Sequence, residues 1–164
     1  AGFLAGFAPA AELPYLSAVA RLDRCWTECH LAADATAVDR HWLAHQTPDT
    51  LPQAALRPHP AARWAWCDEH PAYALWQSHR EGLHHHEALE WTGDGALLTR
   101  PHAEVVWRPL SRAGVAFLDA CAQGLPLEAA ATSALNVEPT ADFAALISTL
   151  LDAGALIPTD SRTG

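Results

Sequence analysis

The chain contains no methionine and no lysine, and it has only four cysteines. Because translation starts at methionine, we expect the sequence to be part of a longer product. Arginine is the only basic residue besides histidine, and 10 arginines stand against 19 acidic residues, which gives a net charge of -9. An acidic surface repels nucleic acids and anionic lipids. The charge balance therefore predicts no nucleic-acid partner.

Long apolar runs are absent as well, since none approaches the roughly 20 residues that span a bilayer. Residues 1–8 are apolar, but the stretch is short and no basic region precedes it, so it does not resemble a signal peptide. Four cysteines are too few for a disulfide scaffold. We therefore expect a cytoplasmic protein with reduced thiols and no membrane partner.

Motifs for metal binding and catalysis are also missing. Histidines cluster at residues 84–86, and Cys25, Cys29 and His30 form a second group, but no Cys-x-x-Cys pair occurs. The chain has no Gly-rich phosphate loop, no Gly-x-Ser-x-Gly elbow and no His-Glu-x-x-His motif. The sequence predicts a non-enzyme with no catalytic residue, no metal site and no cofactor.

Residues 1–84 are predicted to be mainly helical. An apolar stripe at three- and four-residue steps predicts a helix over residues 14–33, and shorter helices are expected over residues 38–45 and 71–80. Residues 62–67 alternate and could form a strand or an extended segment.

Residues 85–158 show a different pattern. Strands are predicted over residues 87–92, 96–100 and 103–108, with Gly93-Asp94-Gly95 as a tight turn. Three helices follow. The first is capped by Ser111 and ended by Gly124, and the second begins at Pro126.

The third helix is predicted over residues 140–153, with Thr140 as its cap and Gly154 as its end, and an extended tail over residues 155–157 closes against the sheet. Residues 159–164 are expected to fray. The fold class is α+β, with an N-terminal helical region followed by a winged-helix-like module of three antiparallel strands and three helices.

The third helix lies where a winged-helix protein reads DNA, but it has two aspartates and no arginine or lysine. Affinity for DNA comes first from neutralising phosphates. We therefore favour a peptide as the ligand and keep a DNA-binding transcriptional regulator as the alternative. Seven tryptophans are present. Trp26 and Trp76 fit a core, whereas Trp64, Trp66 and Trp107 could pack in the core or anchor a partner.

An extended peptide can bind by adding a strand to a free sheet edge. We expect this edge in the third strand, where Val105 and Trp107 face the core and Glu104, Val106 and Arg108 face solvent. The backbone N–H of Val106 is one of the free donors. The last helix would form the other wall. The predicted peptide-binding residues are Ala103, Glu104, Val105, Val106, Trp107, Arg108, Leu146, Ile147 and Leu151.

Short stretches along most of the chain resemble the HvfC/BufC family in their order. They are residues 2–7, 13–16, 19–23, 56–61, 70–72, 75–76, 97–101, 124–130 and 150–156. The resemblance implies a partner protein for multinuclear iron-dependent oxidases, which modify cysteines of ribosomally made precursor peptides, with a relative in methanobactin biosynthesis and a role in copper handling. It implies that the oxidase holds the iron and that a Cys-containing precursor peptide is presented by its leader. The family's preceding domain, long labelled DNA-binding, is missing from this sequence.

Overall fold

The computed structural model describes residues 13–83 and 89–159. Over these residues the chain is a mixed α+β protein with an N-terminal helical region and two small antiparallel sheets. The helices are α1 (Leu16–Leu31), α2 (Arg40–Ala44), α3 (Ala72–Glu81), α4 (Arg112–Ala122), α5 (Leu127–Val137) and α6 (Phe143–Asp152), with short 3-10 turns at Leu51–Gln53 and Pro101–Ala103. The strands are β1 (Leu56–Pro58), β2 (Arg63–Cys67), β3 (Asp94–Thr99), β4 (Val106–Pro109) and β5 (Leu156–Pro158).

The larger sheet has the order β2-β3-β4, and both neighbouring pairs are antiparallel. The prediction of a strand over residues 87–92 is wrong for residues 89–92, which form no strand. Residues 87 and 88 lie outside the described part of the chain. The first strand of the sheet is instead β2, from residues 62–67, for which the sequence allowed either a strand or an extended segment. The predicted boundary at residue 84 therefore falls between two paired strands.

The prediction of a turn at residues 93–95 is wrong as well, because Asp94 and Gly95 belong to β3. A Cβ atom on Gly95 would lie 2.5 Å from the carbonyl oxygen of Leu110 and 2.7 Å from Cε3 of Trp66. Such distances are too short for a side chain, so glycine permits a close approach here and does not make a turn.

The smaller sheet pairs β1 with β5, and Leu56 lies opposite Pro158. A single bridge between Ala55 and Pro126 extends this pairing to the start of α5. The predicted extended tail is confirmed, but it pairs with β1 and not with the three-stranded sheet.

Two hydrophobic clusters lie on opposite faces of β3. Leu97 belongs to the C-terminal core, which contains Phe117 and other side chains of α4, α5 and α6. Leu98 belongs to the N-terminal core, which contains Trp76 and other side chains of α1 and α3. Successive residues of a strand point to opposite faces, so one strand supports both groups of helices.

Capping explains where the helices begin and end. Ser111 caps α4 through a hydrogen bond from the backbone N–H of Gly114, as predicted. The cap of α6 is Asp142, which accepts from the N–H of Ala145 at 2.9 Å, so the prediction of Thr140 is wrong. Gly124 and Gly154 have φ values of 78° and 61° after α4 and α6, a left-handed conformation that glycine adopts without steric cost. None of the described helices combines the length and apolar character needed to cross a membrane.

Candidate functional site

β4 is an outer strand of the three-stranded sheet. Just beyond it, the backbone N–H of Leu110 donates to the carbonyl of Gly95 at 2.9 Å. Backbone groups of an antiparallel strand alternate between the partner strand and the opposite side. Val106 and Arg108 therefore direct their N–H and C=O groups toward β3, and Trp107 directs its own groups toward the open edge.

The expectation that Val106 supplies a free donor is therefore wrong, because its N–H lies in the ladder with Thr99. Trp107 provides the outward N–H of β4. Pro109 also lies at an outward position, where a missing N–H removes no bond of the sheet. The open edge of β4 thus offers the N–H of Trp107 and the carbonyls of Trp107 and Pro109.

The strand is also shorter than predicted, since it begins at Val106 and not at Ala103. His102 and Ala103 have φ values of 54° and 66°, and the 3-10 turn that they form cannot continue into a strand. Ala103 and Glu104 are exposed and precede the strand.

Val105 and Trp107 face the core as predicted, but the expectation that Val106 and Arg108 face solvent is wrong, because both are partly buried. Val105 is buried in the N-terminal core, and Trp107 packs against the same core. The rings of Trp107 and Trp76 meet edge to face at 5.3 Å, and the indole N–H of Trp107 donates to Glu81 at 3.0 Å. Trp107 therefore has a packing role, and its backbone, not its ring, is what the open edge presents.

The predicted residues of α6 lie on two different sides of the helix. A Cβ atom on Gly114 would lie 3.1 Å from Cδ1 of Leu146, so Leu146 packs against the start of α4, shortly after β4. Ile147 and Leu151 face away from it and line a groove to which β4 contributes no residue. The structure thus brings Leu146 near the end of β4 and separates Ile147 and Leu151 from that edge.

This apolar groove has a volume of about 500 Å³. Its walls are α6 on one side and α2 with the 3-10 turn Leu51–Gln53 on the other, and β1, β5 and the start of α5 close it. The apolar lining residues are Trp42, Leu43, Leu51, Pro52, Leu56, Leu127, Phe143, Ala144, Ile147, Leu151 and Leu156. A concave apolar surface of this size is typical of a binding site.

Arg40, one of the two charged residues that line the groove, pairs with Asp152 of α6. The guanidinium of Arg40 donates to both carboxylate oxygens of Asp152, at 3.0 and 2.7 Å, and to the hydroxyl of Ser148. The hydrogen bonds from Arg40 hold the pKa of Asp152 below its usual value, and the positive charges of Arg40 and Arg108 act in the same direction. α6 itself carries no arginine or lysine.

The described residues do not suggest catalysis or metal binding. Burial raises the pKa of Cys29 to about 11 and that of Cys121 to about 12, and burial also raises the pKa of Cys25. These thiols stay protonated at neutral pH and are poor nucleophiles. Within residues 13–83 and 89–159, no group of three His, Cys, Asp or Glu side chains could hold a metal ion. The histidines at residues 84–86 lie outside the described residues.

No protein-family model and no curated protein matches the chain. The HvfC/BufC resemblance therefore remains a prediction from the sequence.

Sequence reasoning missed one whole wall of the groove. Trp42 and Leu43 lie in a five-residue helix, and Leu51 and Pro52 lie in a stretch that reads as a turn. Neither segment is long enough for a periodic pattern to show which way its apolar side chains face. The apolar residues of α6 gave the only signal, since Phe143, Ile147 and Leu151 recur at four-residue steps.

Proposed function

We propose that this chain is a non-catalytic peptide-binding protein that holds a ribosomally made precursor peptide for a multinuclear iron-dependent oxidase. The open edge of β4 is the observation that carries the peptide-binding function. The resemblance alone supplies the identity of the peptide and of the oxidase, and it also supplies the role in copper handling.

Strand addition fits the groups that β4 presents. The N–H and C=O of Trp107 pair with the main chain of an extended peptide, whatever its sequence. One outward donor gives little affinity by itself, because each net hydrogen bond is worth only about 1 kcal/mol. Side chains beside the edge must therefore supply most of the affinity and the specificity.

The arrangement of the helices supports a winged-helix-like module. Three antiparallel strands precede α4, α5 and α6, the numbers that the resemblance implies, but α3 lies between β2 and β3 along the chain. β5 follows α6 and pairs with β1. Ala55, the residue before β1, forms a bridge with Pro126 at the start of α5. The first strand of the module is β2, so the module begins before residue 85.

A DNA-binding regulator is the alternative, and the charges of α6 argue against it. The helix is flanked by Asp142 and Asp152 and has no basic residue. Arg40 lies beside α6, but both oxygens of Asp152 accept from it. A phosphate group would meet negative charge at this helix.

The test is calorimetric titration of the full chain with synthetic leader segments of Cys-containing precursor peptides. Trp107→Pro removes the outward N–H of β4, and Trp107→Ala is the matched control, because it loses the same ring and keeps the N–H. We expect the alanine variant to bind and the proline variant to bind about fivefold more weakly than the alanine variant. Thermal melts of both variants report whether they fold.

A third variant, Ile147→Glu, places a charge in the apolar groove and leaves β4 unchanged. If Ile147→Glu abolishes binding and Trp107→Pro does not, the peptide lies in the groove. If the wild-type chain binds no leader at all, the proposed function is wrong.

A further inference from the structure

Within residues 13–83 and 89–159, Arg108 is a partly buried arginine without an anionic partner. Over the described residues Arg63, Arg100 and Arg108 are partly buried, and the side chain of Arg80 is 28% exposed and pairs with Asp23 at 3.4 Å. Arg63 pairs with Glu28 at 2.8 Å, and Arg100 pairs with Asp34 at 2.9 Å. Within residues 13–83 and 89–159, Arg108 forms no ion pair, and its Nε is buried without a hydrogen-bond partner.

The position of Arg108 places its guanidinium beside the open edge. Arg108 lies opposite Leu97 in the β3–β4 pair, and residues opposite each other project from the same face. Leu97 packs in the C-terminal core, so Arg108 points to the face that carries α6. Asp152 lies within electrostatic range, but its carboxylate is already bound by Arg40.

Arg108 is partly buried and its Nε is out of contact with solvent, and burying part of a guanidinium costs hydration that a nearby anion can offset. The chain has 19 acidic residues, yet no acidic side chain in the described part approaches Arg108 within ion-pair distance. We propose that the missing anion is a carboxylate of the bound peptide, and that Arg108 selects peptides with aspartate or glutamate at one position. This inference rests on the proposed function, because it requires a peptide strand on β4.

Strand geometry limits the selection to a single position. A strand added to β4 would place every second side chain on the face of Arg108, with the directly opposite Cβ about 5 Å away. The neighbouring residues of the peptide would point to the face of Trp107 instead. The net charge of -9 disfavours a peptide with many acidic residues. We therefore expect one isolated acidic residue in an otherwise apolar or basic segment.

The experiment is selection of short random peptides, displayed on phage, against the full chain. Wild-type protein should enrich peptides with aspartate or glutamate at one fixed position. For a synthetic copy of an enriched peptide, changing that residue to its amide should weaken binding to wild-type protein by about tenfold. The same change should have little effect on binding to Arg108→Met, which keeps the length and apolar stem of the side chain. Arg108→Glu should select lysine or arginine at that position.

Enriched peptides without a fixed acidic position would overturn the role of Arg108 and leave the peptide-binding function intact. The same conclusion would follow if the amide change weakened binding to Arg108→Met as much as to wild type. A selection that enriches no peptide would contradict the proposed function, and this inference with it. Thermal melts of the two variants establish that their binding is measured on folded protein.

Discussion

The carboxylate of Asp94, at the start of β3, accepts a hydrogen bond from the backbone N–H of Tyr73, in the first turn of α3, at 2.9 Å. Its second oxygen accepts from the N–H of Ala74, also at 2.9 Å. The residue before α3 is Pro71, whose side chain cannot accept a hydrogen bond. An aspartate from a distant strand thus caps this helix and ties it to the sheet.

Replacing Asp94 with alanine should lower the free energy of unfolding by about 1–2 kcal/mol, since a helix loses its only side-chain cap and two N–H groups lose their partners. Asp94→Asn keeps one acceptor and should cost less. Denaturant titration of the three proteins measures both effects. Equal midpoints for the wild-type and alanine proteins would mean that the cap contributes nothing.

Replacing Ala103 with glycine should stabilise the protein by about 0.5–1 kcal/mol. Ala103 has a φ of 66°, which is sterically unfavourable for alanine. Glycine removes this strain, and the gain exceeds the entropic cost that glycine adds by making the unfolded chain more flexible. Ala33→Gly is the control, because Ala33 is an exposed loop residue without positive φ. The same change there should destabilise the protein. Thermal melts compare the two variants, and a lower melting temperature for Ala103→Gly would contradict the strained turn.

The full chain should not bind duplex DNA, even at low salt. α6 has no basic residue, and the net charge is -9, so no cluster of phosphate contacts is available. Fluorescence anisotropy with a labelled random duplex measures this directly. Micromolar affinity that falls steeply with salt would support the DNA-binding alternative and count against the peptide function.

The titration of Cys29 should lower the free energy of unfolding as pH rises from about 9 to about 11. Burial raises the pKa of its thiol from 9.0 to about 11, so the unfolded chain loses this proton first. A folded state that holds more protons is favoured below this window and loses that advantage as pH rises through it. Cys29→Ala lacks the titrating thiol, so the difference in melting temperature between wild type and variant should shrink over this range. A difference that is constant with pH would contradict the shifted pKa.

The helices could be read from the sequence because their signals are local. α1, α3, α4 and α5 follow the predicted ranges to within a few residues, and Ser111, Gly124 and Gly154 act as expected. Apolar periodicity and caps act within one or two turns, which lie within a short stretch of sequence. The start of α6 was misplaced because Thr140 and Asp142 are both good caps, and only the folded chain selects one.

The sequence by itself determined the helix positions, the acidic charge and the absence of basic residues in α6. Tertiary structure decided what pairs across long separations: β2 with β3, β1 with β5, and Asp94 with the first turn of α3. It also decided which way β4 turns its backbone, that Arg108 is partly buried without an ion pair among the described residues, and that α2 and α6 enclose a groove. Strands of three to six residues are too short to encode their partners locally, and their pairing is fixed by the packing of both cores together.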